Sequence, residues 1–233
     1  MPTEYENGEL LVSDDFADFS SWHHEGAGEI ARAPDGGMRL HCFGSRQGGP
    51  GCMAFLRTTL PDHIAVEYRI VVRSHGGLVI NYLAARGLAG EDLIEDAAKL
   101  PPRTGIMNDY YSVKKGLQSY HFSFSRFDDE GKHTDTSNAR RNPGMLLMAQ
   151  GIDPCTEIDR QYAVRIVKSR GHFQFHVDGR FCYDFLDRDE SQHPIPDTGK
   201  FGFRLIGSDV AADVTDFRVH RVAPDESVWR VKV

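Results

Sequence analysis

The residue best suited to proton-transfer chemistry is His121, which lies in a segment of alternating polar and apolar side chains. Within 119–125 the aromatic residues share one face, and His121 shares the other with small residues such as Ser123. This period of two indicates a half-buried strand. An ordinary histidine titrates near pH 6.5 and suits acid–base catalysis. We therefore expect Phe122 and Phe124 to be buried and His121 and Ser123 to lie on an open face, with a structural histidine as the alternative.

Two groups that recognise anions follow along the chain. Asn138 and Arg140 are two residues apart, so an extended backbone points both side chains the same way. An amide and a guanidinium in this arrangement can neutralise a carboxylate or stabilise an oxyanion. Several basic residues lie between Arg103 and Arg141, and such a patch favours an anionic sugar. A solvated loop is the alternative.

Tyrosines in this region offer rings and hydroxyl groups to a sugar. Tyr110 and Tyr111 are adjacent, so in an extended segment they point in opposite directions and one of them faces the groove. Tyr82 and Trp22 are further candidates for stacking on the apolar faces of sugar rings. Burial in the core is the alternative for Trp22.

Carboxylates that could hydrolyse a glycosidic bond are less well placed. Glycosidases use two carboxylates about 5–10 Å apart, and the candidates are Glu25, Glu91 and Asp92. Glu91 and Asp92 stand at the start of a predicted helix, where capping also explains them. His172 and His176 share a strand face but lie about 13 Å apart, too far to share one Zn²⁺, so no catalytic metal is expected.

Composition narrows the classes of function. The 233 residues include 27 Lys and Arg against 34 Asp and Glu, a formal charge of −7. This argues against nucleic-acid binding, which needs a basic face. The first twelve residues lack the basic start and apolar run of a secretory signal, and no stretch approaches the ~20 apolar residues of a spanning helix. We expect a cytoplasmic protein with free cysteines that binds neither nucleic acid nor membrane.

Short alternating runs recur along the chain and predict an all-β fold. Clear examples are 38–42, 64–70, 172–177 and 201–205. Turns that contain glycine, such as Arg170-Gly171 and Asp178-Gly179, separate such runs. We expect one all-β domain, 1–233, built as a sandwich or a barrel, and exposed edge strands favour a homodimer.

The segment 84–117 breaks the strand pattern. Apolar residues at helical spacing predict a short helix over 90–100, which ends at a Pro-Pro pair. Long irregular connections in compact proteins often carry function. We expect 86–115 to fold over one end of a ligand groove and to bring Arg103 and a tyrosine near His121. A decorative surface loop is the alternative.

Both ends of the chain resemble concanavalin-A-like lectin/glucanase domains. The resembling segments there are 14–16, 22–28, 164–179, 199–204 and 216–220. The middle resembles the bacterial YesU-like family in the segments 90–93, 103–105, 120–123, 136–140 and 148–154. The resemblance implies a jelly-roll β-sandwich of two antiparallel sheets with one short helix in a long loop. It also implies a link to bacterial breakdown of plant-type polysaccharides such as pectins, but no settled reaction.

The resemblance also concerns a structural calcium site and the catalytic carboxylates of related enzymes. A structural Ca²⁺ between the first and last strands is common in this superfamily, and Asp14, Asp15, Asp213 and Asp216 could supply its oxygens. Apart from this calcium, no cofactor is expected. Laminarinase-type members carry their carboxylates as ExDxxE, a motif that this sequence lacks.

The first class of function is an enzyme that cleaves a uronate-containing oligosaccharide by lyase-type β-elimination. Lyases with related sandwiches use histidine, tyrosine, arginine and an amide. Here Asn138 and Arg140 would neutralise the uronate, His121 would take the α-proton, and Tyr111 or Tyr110 would protonate the leaving oxygen. The expected substrate-binding residues are Arg103, Tyr110, Tyr82, Ser123 and Glu91.

Two alternatives stay open, so the sequence does not decide whether the protein is an enzyme. The first is a non-catalytic carbohydrate-binding protein. The second is a glycoside hydrolase that uses Glu25, Glu91 or Asp92.

Overall fold

The computed structural model describes residues 4–44, 49–191, 193–225 and 227–228. The strands are β1 (Asn7–Asp14), β2 (Trp22–Gly26), β3 (Gly28–Arg32), β4 (Met38–Cys42), β5 (Cys52–Leu56), β6 (Ile64–Val72), β7 (Gly77–Arg86), β8 (Gln118–Phe124), β9 (Thr136–Asn142), β10 (Leu146–Ile152), β11 (Gln161–Ser169), β12 (His172–Val177), β13 (Arg180–Leu186), β14 (Lys200–Gly207) and β15 (Val210–Val222). The helical elements are α1 (Met107–Tyr111) and a 3₁₀ turn, Ala97–Lys99.

The strands form two antiparallel sheets, which confirms the predicted fold class. Sheet A has the order β13-β12-β11-β6-β15-β4-β3, and β1 also pairs with β15. Sheet B has the order β10-β9-β8-β7-β14-β5-β2. Strands distant in sequence lie side by side in both sheets, so the fold depends on long-range pairing.

The core lies between the sheets and includes the aromatic face of β8. Phe122 and Phe124 are fully buried, as the alternation predicted. The ring of Phe122 lies 6.1 Å from that of Phe173 and 5.9 Å from that of Phe175 on β12. Because side chains alternate along a strand, this inward face obliges His121 to lie on the outer face of sheet B.

The predicted hairpins are confirmed. Arg170 and Gly171 both have positive φ between β11 and β12, as do Asp178 and Gly179 between β12 and β13. Two successive positive φ values are typical of the type I′ turn, whose twist matches that of the flanking strands.

The prediction of a helix over 90–100 is wrong in its position. Asp92 accepts hydrogen bonds from the backbone N–H groups of Ile94 and Glu95, which fixes a tight turn. Only the 3₁₀ turn follows before the Pro-Pro pair. The one short α-helix expected in the long loop is α1, which lies further along the chain.

Strand β10 is an edge of sheet B with apolar side chains on its surface. Leu146 and Leu147 are about half exposed, and Ile152 is also exposed. The expected homodimer stays a prediction, and this edge is where we expect it to form. In the described parts of the chain, no helix has the length and apolarity to cross a bilayer.

Phe122→Ala should lower the free energy of unfolding by about 3–5 kcal/mol, because it opens a cavity among packed aromatic rings. The measurement is urea denaturation followed by fluorescence, with the m-value checked for constancy. Leu146→Ala, at a side chain that is about half exposed, is the matched control and should change stability by less than about 0.5 kcal/mol. Equal losses in the two variants would contradict the assigned core.

Candidate functional site

The outer face of sheet B is covered by the chain's own excursion, residues 87–117, which connects β7 to β8. Tyr110 and Tyr111 of α1 are buried against this face. They form a second apolar cluster with side chains of β5, β7 and β14, namely Met53, Phe55, Ile80, Tyr82 and Ile206. The excursion therefore folds over the sheet as expected, but it fills the groove that it was expected to border.

Arg204, from the middle of β14, lies within this covered face and is fully buried. Its Nη1 donates to the hydroxyl oxygen of Tyr82 at 3.0 Å, and its Nη2 donates to the carbonyl oxygen of Gly105 at 2.8 Å. The guanidinium carbon lies 5.1 and 5.4 Å from the ring centroids of Tyr110 and Tyr111. These distances lie within the range of cation–π attraction, so Arg204 binds the excursion to the sheet.

The charge of Arg204 is not matched by an acidic neighbour. In the ranges that the structure describes, no ion pair joins its guanidinium to a carboxylate, and its Nε is buried without a hydrogen-bond partner. A guanidinium stays protonated in proteins, and an unpaired buried charge is expensive. Arg204 was not among the predicted site residues, although it lies within the alternating run 201–205 of β14.

His121 is buried beside this arginine, so the prediction of an open face is wrong. Its ring lies 4.8 Å from that of Tyr111 and 6.0 Å from that of Tyr82. Burial, and after it the positive charges of Arg204 and Arg140, lower the pKa of His121 to about 3. His121 is therefore a neutral imidazole at neutral pH.

Asn142 sets the orientation of the imidazole. Its Nδ2 lies 2.9 Å from Nδ1 of His121 and 2.9 Å from Oγ of Ser119, while its Oδ1 is buried without a partner. An amide N–H directed at Nδ1 places the proton of the neutral ring on Nε2. Asn138 was predicted to be the amide of the site, whereas Asn142 on the same strand contacts the histidine.

A chain of hydroxyl groups leads from Arg204 towards His121. The hydroxyl of Tyr82 accepts from Arg204 and donates to the hydroxyl of Tyr111 at 2.7 Å. Tyr111 in turn stacks near the imidazole. The structure thus brings His121, Tyr82 and Tyr111 together, as predicted. Arg204, which was not a predicted site residue, lies beside them.

Arg103 lies elsewhere than predicted. Its Nε donates to both carboxylate oxygens of Glu25 at 3.1 Å, and its Nη2 donates to Oε1 at 2.5 Å and to the carbonyl oxygen of Leu93. The hydroxyl of Tyr110 donates to the same carboxylate at 3.0 Å. Arg103 and Tyr110 therefore bind the excursion to β2 through Glu25, and they do not contact His121.

Asn138, Ser123 and Arg140 share the outer face of sheet B with His121, and Arg140 lies opposite His121 in the register of β8 and β9. The Oγ of Ser123 donates to Oδ1 of Asn138 at 2.7 Å. Nη1 of Arg140 donates to the carbonyl oxygen of Met145 at 2.7 Å. The predicted alignment of Asn138 and Arg140 is confirmed, but both side chains bind within the protein.

Glu91 and Asp92 stabilise turns. Oε2 of Glu91 accepts from the backbone N–H of Ala89. Burial raises the pKa of Asp92, but hydrogen bonds from Lys200 and from the N–H groups of the following turn outweigh it and hold that pKa at about 2. A carboxyl group with so low a pKa does not act as a general acid near neutral pH.

The aspartates named for calcium have other partners. Asp213 forms ion pairs with Arg39 and Arg73, and Oδ2 of Asp14 accepts from the indole N–H of Trp22. Among the described residues, no group of three or more His, Cys, Asp and Glu side chains could hold a metal ion. Calcium stays a prediction that none of these contacts supports.

Comparison with known proteins supports a family relationship. The model of the family described as "Domain of unknown function (DUF1961)" matches residues 7–219. The uncharacterized protein YesU of Bacillus subtilis is 29% identical over 209 residues, which cover 88% of this chain and 91% of YesU. The resemblance to the YesU-like family is thereby confirmed.

Solved structures agree with the fold. A Bacillus subtilis protein of unknown function with a galectin-like fold superposes with a TM-score of 0.83 at 27% identity, covering 95% of this chain and 100% of that chain. LamA E269S from Z. galactanivorans, in complex with laminaritriose and laminaritetraose, has a TM-score of 0.59 at 10% identity and covers 93% and 100%. The second likeness shows the fold alone.

His121 should remain unprotonated where an exposed histidine titrates, near pH 6.5. By ¹H NMR, the Cε1 proton of His121, assigned by its loss in His121→Gln, should begin to shift only as the pH approaches about 3. A midpoint near pH 6.5 would contradict the burial of the ring.

The difference between the pKa of His121 in the folded chain and in the unfolded chain should also make the free energy of unfolding depend on pH. The unfolded chain, with a histidine pKa near 6.5, binds a proton that the folded chain refuses until about pH 3. The free energy of unfolding should therefore fall as the pH is lowered through this window. His121→Gln, measured by urea denaturation across the window, should lose that part of the pH slope.

Proposed function

We propose that this chain, which belongs to the DUF1961 family, binds a uronate-containing oligosaccharide on the outer face of sheet B and cleaves it by β-elimination. The observation that carries the proposal is Arg204, a buried guanidinium with a free Nε and no carboxylate partner among the described residues. The fold supports a sugar ligand, since LamA, with the same fold, is described in complex with laminari-oligosaccharides.

The free Nε of Arg204 is a donor that a uronate carboxylate could satisfy. Charge-assisted hydrogen bonds from arginine to carboxylates are strong, and they are stronger still in a site without water. Bound there, the carboxylate would offset the cost of the unpaired charge. A plant-type, pectin-like substrate supplies such carboxylates, and a short imported oligosaccharide fits the cytoplasmic location that we predict.

In β-elimination, a base removes the proton on the carbon beside the carboxylate, and the electron pair forms a C=C bond as the glycosidic C–O bond breaks. A neutralised carboxylate makes that proton more acidic, because it stabilises the charge that develops in the transition state. A second group protonates the departing oxygen. No oxidant or metal is needed to balance the reaction.

His121 is the proposed base, with Asn142 as its positioning residue. A half-turn of the Asn142 amide would present its unpartnered Oδ1 to Nδ1 of His121. The ring proton would then lie on Nδ1, and Nε2 would be free to accept a proton. Since Arg204 and Arg140 lower the pKa of His121, a bound carboxylate that offsets their charge makes the base stronger.

Tyr111 is the proposed acid. It stacks near His121 and receives a hydrogen bond from Tyr82. Tyr110 is less suitable, because its hydroxyl donates to Glu25. Tyr110 and Tyr111 also cover Arg204, so α1 must open to admit the substrate and close again before elimination, which returns Tyr111 to His121.

The burial of His121, Tyr111 and Arg204 favours a second candidate, a non-catalytic carbohydrate-binding protein. In that protein Arg204 only binds the excursion to the sheet. Hydrolysis has less support. The carboxylate of Glu25 is held by Arg103. The pKa of Asp92 is about 2, so Asp92 does not resemble the protonated acid that a glycosidase needs.

His121→Gln should lower turnover of pectin-derived oligosaccharides by about 100-fold or more, while affinity changes only a few fold, because a base acts mainly in the transition state. Turnover is followed by the ultraviolet absorbance of the unsaturated product, and reducing ends are counted in parallel. His41→Gln, on β4 of sheet A, is the control and should retain activity. New reducing ends without the absorbance would replace elimination by hydrolysis, and no turnover by the wild type would favour the binding protein.

Arg204→Gln should weaken binding of a trigalacturonate by about 2 kcal/mol and leave binding of its methyl ester nearly unchanged, as measured by calorimetry. Arg140→Ala should reduce both affinity and turnover by a smaller amount, because its side chain is only half-buried. A urea transition close to that of the wild type confirms that each variant is folded. Equal losses for acid and ester would remove Arg204 as the carboxylate-binding group.

A further inference from the structure

A cavity of about 670 Å³ lies on the outer face of sheet A, on the side of the sandwich opposite the covered face. Residues of strands β6, β11, β12, β13 and β15 and of the segment 4–6 line it. Its volume is in the range of small-molecule sites. None of the residues proposed for β-elimination lines it.

Arg165 and Glu67, two of the charged residues that line this cavity, are paired with each other, whereas Glu4 and Glu6 add negative charge to the lining. Arg165 donates to the carboxylate of Glu67, to Oδ1 of Asn7 and to the carbonyl oxygen of Tyr5. Such contacts hold planar donors and acceptors in fixed positions, and the four carboxylates against three guanidinium groups leave no positive excess that would attract an anion. This differs from Arg204, whose charge has no acidic partner among the described residues.

A second charged group lies beside it on the same face. Arg69 donates to Asp216 at 3.0 Å and to Oε1 of Gln161 at 3.1 Å. Arg218 lies 3.7 Å from the same aspartate. The lining therefore favours an uncharged ligand with many hydroxyl groups over an anion.

An aromatic side chain completes the cavity. Phe181, on β13, is exposed over about a third of its surface and lines the cavity. The ring of His176 contacts it edge-on at 5.5 Å, which holds the phenyl ring in place. An exposed phenyl face packs well on the C–H face of a pyranose ring, while the buried Gln174 lines the same cavity.

We propose that this cavity is a second sugar-binding site, which takes an uncharged hexose unit of an oligosaccharide on the face opposite the uronate site. Phe181 would stack on the sugar ring, and the paired Arg165 and Glu67 would bind its hydroxyl groups. This inference does not depend on the β-elimination proposal, because it uses a different sheet and different residues.

The test uses the full chain and three neutral disaccharides, cellobiose, lactose and maltose, with digalacturonate as the charged comparison. In ¹H–¹⁵N NMR titrations, at least one neutral disaccharide should shift amide signals of β11, β12 and β13 and leave those of β8 unchanged. No shift with any of the three, shifts confined to sheet B, or tighter binding of digalacturonate at β11–β13 would overturn the proposal.

Phe181→Ala should weaken the disaccharide that binds by about tenfold, as expected for the loss of an aromatic contact. Phe43→Ala is the matched control, because Phe43 is also exposed and packs edge-on against a histidine, His41, outside the cavity. It should leave affinity unchanged, and so should His121→Gln. Unchanged affinity in Phe181→Ala, or an equal loss in Phe43→Ala, would exclude the cavity as the site.

Discussion

A buried guanidinium on the outer face of sheet B must be solvated by the protein itself, and much of the candidate site follows from this need. Arg204 satisfies two of its nitrogens with Tyr82 and Gly105, and it places its flat face near the rings of Tyr110 and Tyr111. Three of these four partners belong to the excursion. The arginine therefore organises α1 over the sheet, and α1 buries His121.

Burial then determines the chemistry that His121 can perform. Because it is buried and two arginines act on it, the imidazole stays neutral, and its pKa responds strongly to any new charge nearby. A carboxylate ligand is the change to which this arrangement is most sensitive. The outer face of sheet A differs, since Arg165 pairs there with Glu67, and the cavity lining has no excess of positive charge.

The fold was predictable because alternation along strands is a local signal that the long-range core does not override. The segment around Phe122 shows this, as do the hairpins at Gly171 and Gly179, where positive φ makes glycine favourable. The helix over 90–100 failed for an equally local reason. The Asp92 side chain binds the N–H groups of Ile94 and Glu95 as an N-cap residue does. The backbone bonds that follow, donated by Ala97, Lys99 and Leu100, span three residues and form only a 3₁₀ turn.

The site was predictable only in part, because alternation gives the face of a sheet but not what covers that face. His121 and Arg140 were assigned to the correct face. The excursion buries His121 through tertiary contacts, and no periodic pattern in its sequence predicts those contacts. One local signal could have identified Arg204. A side chain at Gly202, two residues earlier on the same face, would lie 2.6 Å from the ring of Phe55. A glycine enforced by a neighbouring ring marks a crowded face, and an arginine on a crowded face must find its partners within the protein or in a ligand.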